Sequence, residues 1–273
     1  MIKERAHAKL NLALDVHGKR TDGYHDLRMI LVPLELSDEL RFTPAESITL
    51  EERIPIPDNA VLRAAFAMQQ AFGVSKGARI ELVKNIPIGS GLGGESADIA
   101  ATLRGLNRLW ELGLELEELE ELALSLGSDT LFCLYERPAY VMGRGEHLLF
   151  IEPPPIEGVH LFFNGLDIST EEVFKAHRTR RKRRRFDRLF ALYLNESYEL
   201  FFERTYNDLL KTALMRYPEL KSYYYELKKR FRNVMMTGSG SAFFYLDLPF
   251  SKPKEVNISL KYNKKHVKTT LKP

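Results

Sequence analysis

Pro87-Ile88-Gly89-Ser90-Gly91-Leu92-Gly93-Gly94-Glu95-Ser96-Ala97-Asp98 places four glycines within six positions. An apolar, strand-like run precedes it (Ala78 to Lys84), and a helix-like run follows it (Ile99 to Leu106). Glycine lets the backbone take positive φ and lets a ligand come close to the main chain. The first N–H groups of the following helix have no partner within that helix and point at any anion in the loop. The stretch therefore reads as a phosphate-binding loop between a strand and a helix; the competing reading is a plain glycine hinge. It lacks the Gly-Lys-Ser/Thr ending of a P-loop. Gly89, Gly91 and Gly94 fall on dinucleotide spacing, but Gly93 and the chain downstream fit that motif poorly.

A chain of 273 residues is long enough for one large or two ordinary domains with a substantial core. Its 44% hydrophobic and 28% charged residues are ordinary for a globular protein. The single cysteine, Cys133, lies in Leu131-Phe132-Cys133-Leu134, which excludes an internal disulfide and suggests a buried thiol. The histidines show no zinc-type pairing. With no secretory h-region and no bilayer-length apolar run, a reduced cytoplasmic compartment is the expectation, with no membrane partner.

Around the loop, Leu10, Leu12, Leu14 and Val16 alternate with Lys9, Asn11, Ala13 and Asp15, as in a strand. Residues 28–43 continue strand-like, and the proline-bearing segment 44–58 reads as extended segments and turns. Asp58-Asn59 caps a helix to about Phe72, and Leu116 to Leu126 reads as another helix. Residues 130–151 read as strands joined by turns. Glu152-Pro153-Pro154-Pro155 is the clearest linker. Beyond it a strand begins near Leu161, Ser169 caps a helix, helical patterns fill 187–232, and a short strand is expected around His266 to Leu271.

Three separated pieces, Ala8-Lys9-Leu10-Asn11-Leu12, the glycine loop and Thr237-Gly238-Ser239-Gly240-Ser241, together resemble the GHMP kinase superfamily of ATP-dependent small-molecule kinases. Asp22-Gly23-Tyr24-His25, Gly127-Ser128-Asp129, Gly143-Arg144-Gly145-Glu146, Ser169 to Phe174 and Asn207-Asp208-Leu209 bring it nearest the branch that phosphorylates the 2-hydroxyl of 4-diphosphocytidyl-2-C-methyl-D-erythritol in non-mevalonate isoprenoid precursor synthesis. The resemblance implies an α+β fold of two domains: residues 1–152, like ribosomal protein S5 domain 2 with a left-handed βαβ crossover, and residues 153–273, ferredoxin-like. It implies an active site in the cleft between them.

It further implies roles for single residues. Lys9 and Asp129 would be catalytic, the aspartate orienting or deprotonating the acceptor hydroxyl. Asp58 and Asn59 would lie near the adenosine of ATP. Pro87, Gly89, Ser90, Gly91, Gly93 and Gly94, with the amides of Glu95 and Ser96, would cradle the triphosphate. Ser96 would touch phosphate or Mg²⁺. Asn11, Tyr24, His25 and Phe174 would hold the cytidyl diphosphate substrate, the aromatic rings stacking on its base. Gly238, Ser239 and Gly240 would approach its phosphates. Residue-level alternatives stay open: Lys9 also suits a solvated strand face, Asp129 a turn or cap, Tyr24 a half-buried core position, Asp58-Asn59 a helix cap, and the 237–241 loop a tight turn.

The chain departs from the family at two places. Glu95 stands where the family has glycine, and Thr130-Leu131 where it has an aliphatic residue and proline. A carboxylate about 6 Å from a phosphate, at an effective dielectric near 20, costs roughly 3 kcal/mol. Glu95 has three readings: facing the phosphates, ligating Mg²⁺, or pointing to solvent, the last being preferred. A noncatalytic nucleotide-binding homologue and a GHMP kinase for another alcohol are the competing functions. A basic run, Arg178 to Arg188, reads as a solvated surface or an anion-attracting patch, without a nucleic-acid motif around it. The sequence sets no oligomeric state.

Overall fold

Alternation over the first 45 residues makes two long strands, β1 (Ile2–Lys19) and β2 (His25–Ala45). They are joined by a turn in which the Arg20 amide donates to the Tyr24 carbonyl at 2.7 Å. The computed structural model describes residues 1–52, 56–178, 184–231, 233–251 and 265–273. Both faces of β1 are buried: Leu10, Leu12 and Leu14 on one side, Lys9, Asn11 and Asp15 on the other. The polar face is thus not a solvated one.

After β2 come β3 (Ile48–Glu52), α1 (Ala60–Phe72) and β4 (Gly77–Val83). The Asn59 side chain caps α1 by accepting the Val61 amide at 2.9 Å, and Gly73 ends the helix in the left-handed region at φ 61°. Next is α2 (Gly94–Trp110), which buries Ile99, Leu103, Leu106 and Trp110 at helical spacing. A Cβ at Gly105 in its middle would lie 2.3 Å from the Phe42 ring, so the helix approaches β2 there only because that residue is glycine. The run 116–126 divides into a 3₁₀ turn (Leu116–Leu119) and α3 (Glu120–Leu126).

The strands expected over 130–151 begin instead with a helix, α4 (Thr130–Tyr135), followed by β5 (Ala139–Gly143) and β6 (His147–Phe150). Thr130, Leu131, Phe132, Cys133 and Leu134 are all buried, so the helix has no polar face and its sequence carries no 3.6-residue period. Burial pushes the Cys133 thiol up.

The remainder is β7 (Gly158–Phe163), α5 (Thr170–Ala176), α6 (Arg184–Leu194), α7 (Tyr198–Arg204), α8 (Leu209–Arg216), α9 (Pro218–Arg230), β8 (Met235–Met236), β9 (Phe243–Asp247) and β10 (Lys265–Thr269). Ser169 caps α5 by accepting the Glu172 amide. Residues 179–183 of the basic run lie outside the described residues. Beyond them the Arg185 guanidinium lies 3.6 Å from the Tyr206 ring centroid.

The chain forms two compact units. One comprises residues 1–9, 35–87 and 93–137. In it the later half of β2 pairs antiparallel with β4, and β3 pairs parallel with β4 through the α1 crossover. There α1 packs on α2, and α2 on α4. The other unit comprises residues 10–34, 88–92 and 138–273. In it Leu27–Leu31 of β2 pairs with β5, β5 pairs with β6, and an antiparallel sheet runs in the order β10-β7-β9-β8 beside helices α5–α9. Among the described residues, no helix is long and apolar enough to cross a membrane.

Candidate active site

Lys9, near the middle of β1, is 4% exposed, and its Nζ lies 3.2 Å from Asp129 Oδ2. The strand carries the lysine inward and the turn Gly127-Ser128 delivers the aspartate, which occupies the N-cap of α4. The Asp129 carbonyl accepts the Cys133 amide at 3.1 Å, and the Thr130 amide donates to the Gly127 carbonyl at 3.2 Å. So Thr130-Leu131, without the family's proline, still form an ordered helical turn behind Asp129. Gly93, the last residue before α2, has φ 70°, and a Cβ on it would stand 2.8 Å from Lys9 Cγ. Glycine at 93 is what lets the lysine stem run past the start of the helix.

The start of α2 is braced by charge. Lys84 Nζ lies 2.5 Å from Asp38 Oδ2 and 2.6 Å from Asp98 Oδ2. Asp38 also accepts the amides of Asn85 (2.5 Å) and Ile86 (2.7 Å), where the chain leaves β4 for the glycine loop. Burial, reinforced by Asp38 and opposed by Lys84, pushes Asp98 up to about 7. Glu95, the second residue of α2, points outward: its carboxylate is 67% exposed and accepts Arg63 Nη2 at 2.5 Å. Arg63 also binds Asp58 at 2.9 Å, so one guanidinium joins the residue before the Asn59 cap to the first turn of α2.

In the second unit, the glycine loop and the 237–241 loop are zipped together. The Ser241 amide donates to the Gly89 carbonyl at 3.2 Å and the Ala242 amide to Ser90 at 3.0 Å. Thr237 Oγ1 lies 3.3 Å from both the Gly91 carbonyl oxygen and Asn11 Oδ1, which share its single proton as acceptors. A Cβ at Gly91 would fall 2.5 Å from the Thr237 carbonyl oxygen. Asn207 Nδ2 donates to the carbonyls of Met236 and Gly238, both at 2.8 Å, and Ser239 meets the Thr170 hydroxyl at 2.8 Å.

The expected base-stacking residues also lie in this unit. The rings of His25 and Phe174 are 5.3 Å apart, inclined by 33°. Tyr24 is 51% exposed, with the Arg144 guanidinium 5.2 Å from its ring centroid. Arg20 joins the two turns involved, donating to Asp22 at 3.1 Å and Glu146 at 2.8 Å. Burial, with Lys19 nearby, lowers the His25 pKa. A neutral imidazole carries one donor and one acceptor, which suits an uncharged base edge.

The first turn of α2 begins beside the Lys9 stem, at Gly93. No group of three or more His, Cys, Asp or Glu side chains among the described residues is arranged to hold a metal ion. Ser96 contributes a hydroxyl at the start of α2. This donor set suits Mg²⁺ carried on phosphate oxygens rather than a cation held by protein alone.

Sequence reading missed Lys84, Asp38, Asp98, Arg63 and Arg144 as parts of this arrangement. One signal was available: Asp98 is an ionisable residue inside the apolar helix run Ala97 to Leu103. Thr130, where the chain departs from the family, is wholly buried with its Oγ1 lacking a hydrogen-bond partner. Thr130→Val restores the family's aliphatic residue and removes the orphan hydroxyl, and is expected to stabilise the fold by about 1 kcal/mol. Urea unfolding of both proteins checks this, and a loss of stability would show that the hydroxyl has a partner.

Residues 59–137 match the model for the GHMP kinases N terminal domain. A 4-diphosphocytidyl-2-C-methyl-D-erythritol kinase of Bacillus pumilus is 37% identical over 254 residues, covering 90% of this chain and 88% of the relative. Its counterpart in Geobacillus kaustophilus is 38% identical over 89% of this chain and 87% of its own length. A solved structure of 4-(cytidine 5'-diphospho)-2C-methyl-D-erythritol kinase superposes with a TM-score of 0.72 at 34% identity, covering 90% of both chains. A mevalonate kinase superposes with a TM-score of 0.72 over 99% of both chains at 14% identity, a likeness of fold alone.

Proposed function

The chain belongs to the 4-diphosphocytidyl-2-C-methyl-D-erythritol kinases, a branch of the GHMP kinases, and from that premise we propose which of its residues perform the transfer. The reaction moves the γ-phosphoryl group of ATP to the 2-hydroxyl of the cytidyl substrate. The observation that carries the assignment is the Lys9–Asp129 pair, 3.2 Å apart, against Gly93 at the start of α2.

Phosphoryl transfer asks mainly for positioning and for relief of developing negative charge. The amides of Glu95 and Ser96 and the loop glycines 89, 91, 93 and 94 hold the triphosphate, with Pro87 and Ser90 framing the loop. Asp58 and Asn59 border the adenosine. The Lys9 ammonium offsets charge on the transferring phosphoryl group. Asp129 takes the proton of the acceptor hydroxyl as the new P–O bond forms and the bond to the leaving ADP oxygen breaks. Ser96 would help hold Mg²⁺ on the phosphate oxygens, and the ion would supply further charge neutralisation there. Asn11, with Gly238, Ser239 and Gly240, lines the substrate's phosphate side. The domains that go with this reading are residues 1–152 and 153–273, and the compartment is the cytoplasm.

Tyr24, His25 and Phe174 hold the cytosine. The close approach of His25 to Phe174 favours this over a kinase for an alcohol without a base. Tyr24→Ala is expected to weaken substrate binding by about 1–3 kcal/mol while ATP affinity stays nearly constant. Separate titrations check this, and equal losses for both ligands would point to general unfolding. Coupled measurement of ADP release with and without the cytidyl substrate tests the function itself. Release independent of that substrate would overturn it.

A further inference from the structure

Arg63 stands between two exposed carboxylates, Glu95 at 2.5 Å and Asp58 at 2.9 Å, and also donates to the Asp58 carbonyl. Exposed ion pairs of this kind contribute little to folding stability. Its position gives it a different consequence. Glu95 is the second residue of α2, so its carboxylate competes for the same N-terminal field that an anionic ligand would use. Glycine, the family's residue there, brings no such charge.

We infer that Arg63 is a positioning residue of the nucleotide site: its guanidinium holds Glu95 outward and neutralises it, leaving the first turn of α2 free for phosphate. The inference rests on reading that turn as the ATP site. The guanidinium is a planar fork, and here each Nη addresses a different carboxylate. Asp58 thus fixes the fork from one side while Glu95 is held from the other. The side-chain geometry also accounts for how this chain tolerates a carboxylate inside a phosphate loop: the charge comes with its own counter-charge from α1. Arg63 acts through Glu95, so its effect on nucleotide must depend on whether Glu95 is present.

Calorimetric titration of MgATP and MgADP into the parent, R63Q, E95G and R63Q/E95G proteins, at low and high salt, tests this dependence. R63Q is expected to weaken ATP binding about tenfold at low salt, less than an unscreened charge would cause because the carboxylate is solvated. ADP, carrying less charge, should lose less. In the E95G background the same substitution should cost threefold or less, and R63K should recover most of the R63Q loss. High salt should shrink the R63Q defect. A defect of equal size with and without Glu95, or no defect at all, would overturn the inference, since an effect on folding or a direct contact would persist without Glu95. Should the parent take up no nucleotide, the ATP reading of the loop falls and this inference with it. When the parent binds but the two defects are equal, the inference falls alone.

Discussion

Asp129→Asn is expected to lower turnover by at least about a hundredfold, the lower end of general-base effects, with ATP affinity little changed. Asparagine keeps the shape of the side chain and its place at the N-cap of α4, but it cannot take the proton from the acceptor hydroxyl. It also leaves Lys9, 4% exposed, without the carboxylate 3.2 Å away. Part of the loss therefore reflects a displaced ammonium, and single-turnover rates alone would not apportion it. Lys9→Met provides the comparison. If both groups act in the chemical step, each variant retains substrate binding and loses turnover, and the double variant loses less than the product of the two. Steady-state and single-turnover assays with the cytidyl substrate measure this. Unchanged turnover in Asp129→Asn would remove that residue from the chemistry and leave the pair a structural ion pair.

Lys84→Met is expected to destabilise the fold by about 3–5 kcal/mol, because it strands two buried carboxylates without their shared cation. Asp38 is wholly buried, and Asp98 nearly so. The loss should depend on pH. Asp98 is raised to about 7 by burial in the native fold, above its unfolded value. A carboxyl raised in this way contributes stability that is fully present below its unfolded pKa and is lost as pH rises through about 7. Without Lys84, which opposes the rise, Asp98 moves higher still. The variant should therefore be weakest at pH 8 and recover toward pH 6. Urea denaturation at both pH values checks the sign; a deficit independent of pH would mean that Asp98 is not the group left exposed to the loss. The same variant should bind ATP more weakly, since Lys84 and Asp38 hold the chain where it enters the glycine loop.

How much of this was legible beforehand depended on the range over which each feature is encoded. The strand–glycine loop–helix passage, the Asn59 and Ser169 caps and the packed face of α2 all follow from residues within a few positions of one another. Spacing and turn chemistry report those directly. The ordered motifs from Ala8 to Ser241 were likewise enough to identify the family and its α+β fold. α4 escaped because a short helix buried on every side shows no periodicity.

Pairings between distant residues were settled only by the folded chain. Nothing near Glu95 in the sequence shows that its carboxylate meets Arg63, 32 positions earlier, or that Lys84 reaches Asp38, 46 positions away. A charged residue on a strand looks the same in sequence whether its face is solvated or covered, which is why Lys9 reads locally as a surface lysine. Local sequence sets backbone conformation through sterics and hydrogen bonding within a turn or two. Which charges then share a buried or half-buried space depends on how the elements pack, and with it whether a given ion neutralises, repels or positions its neighbour.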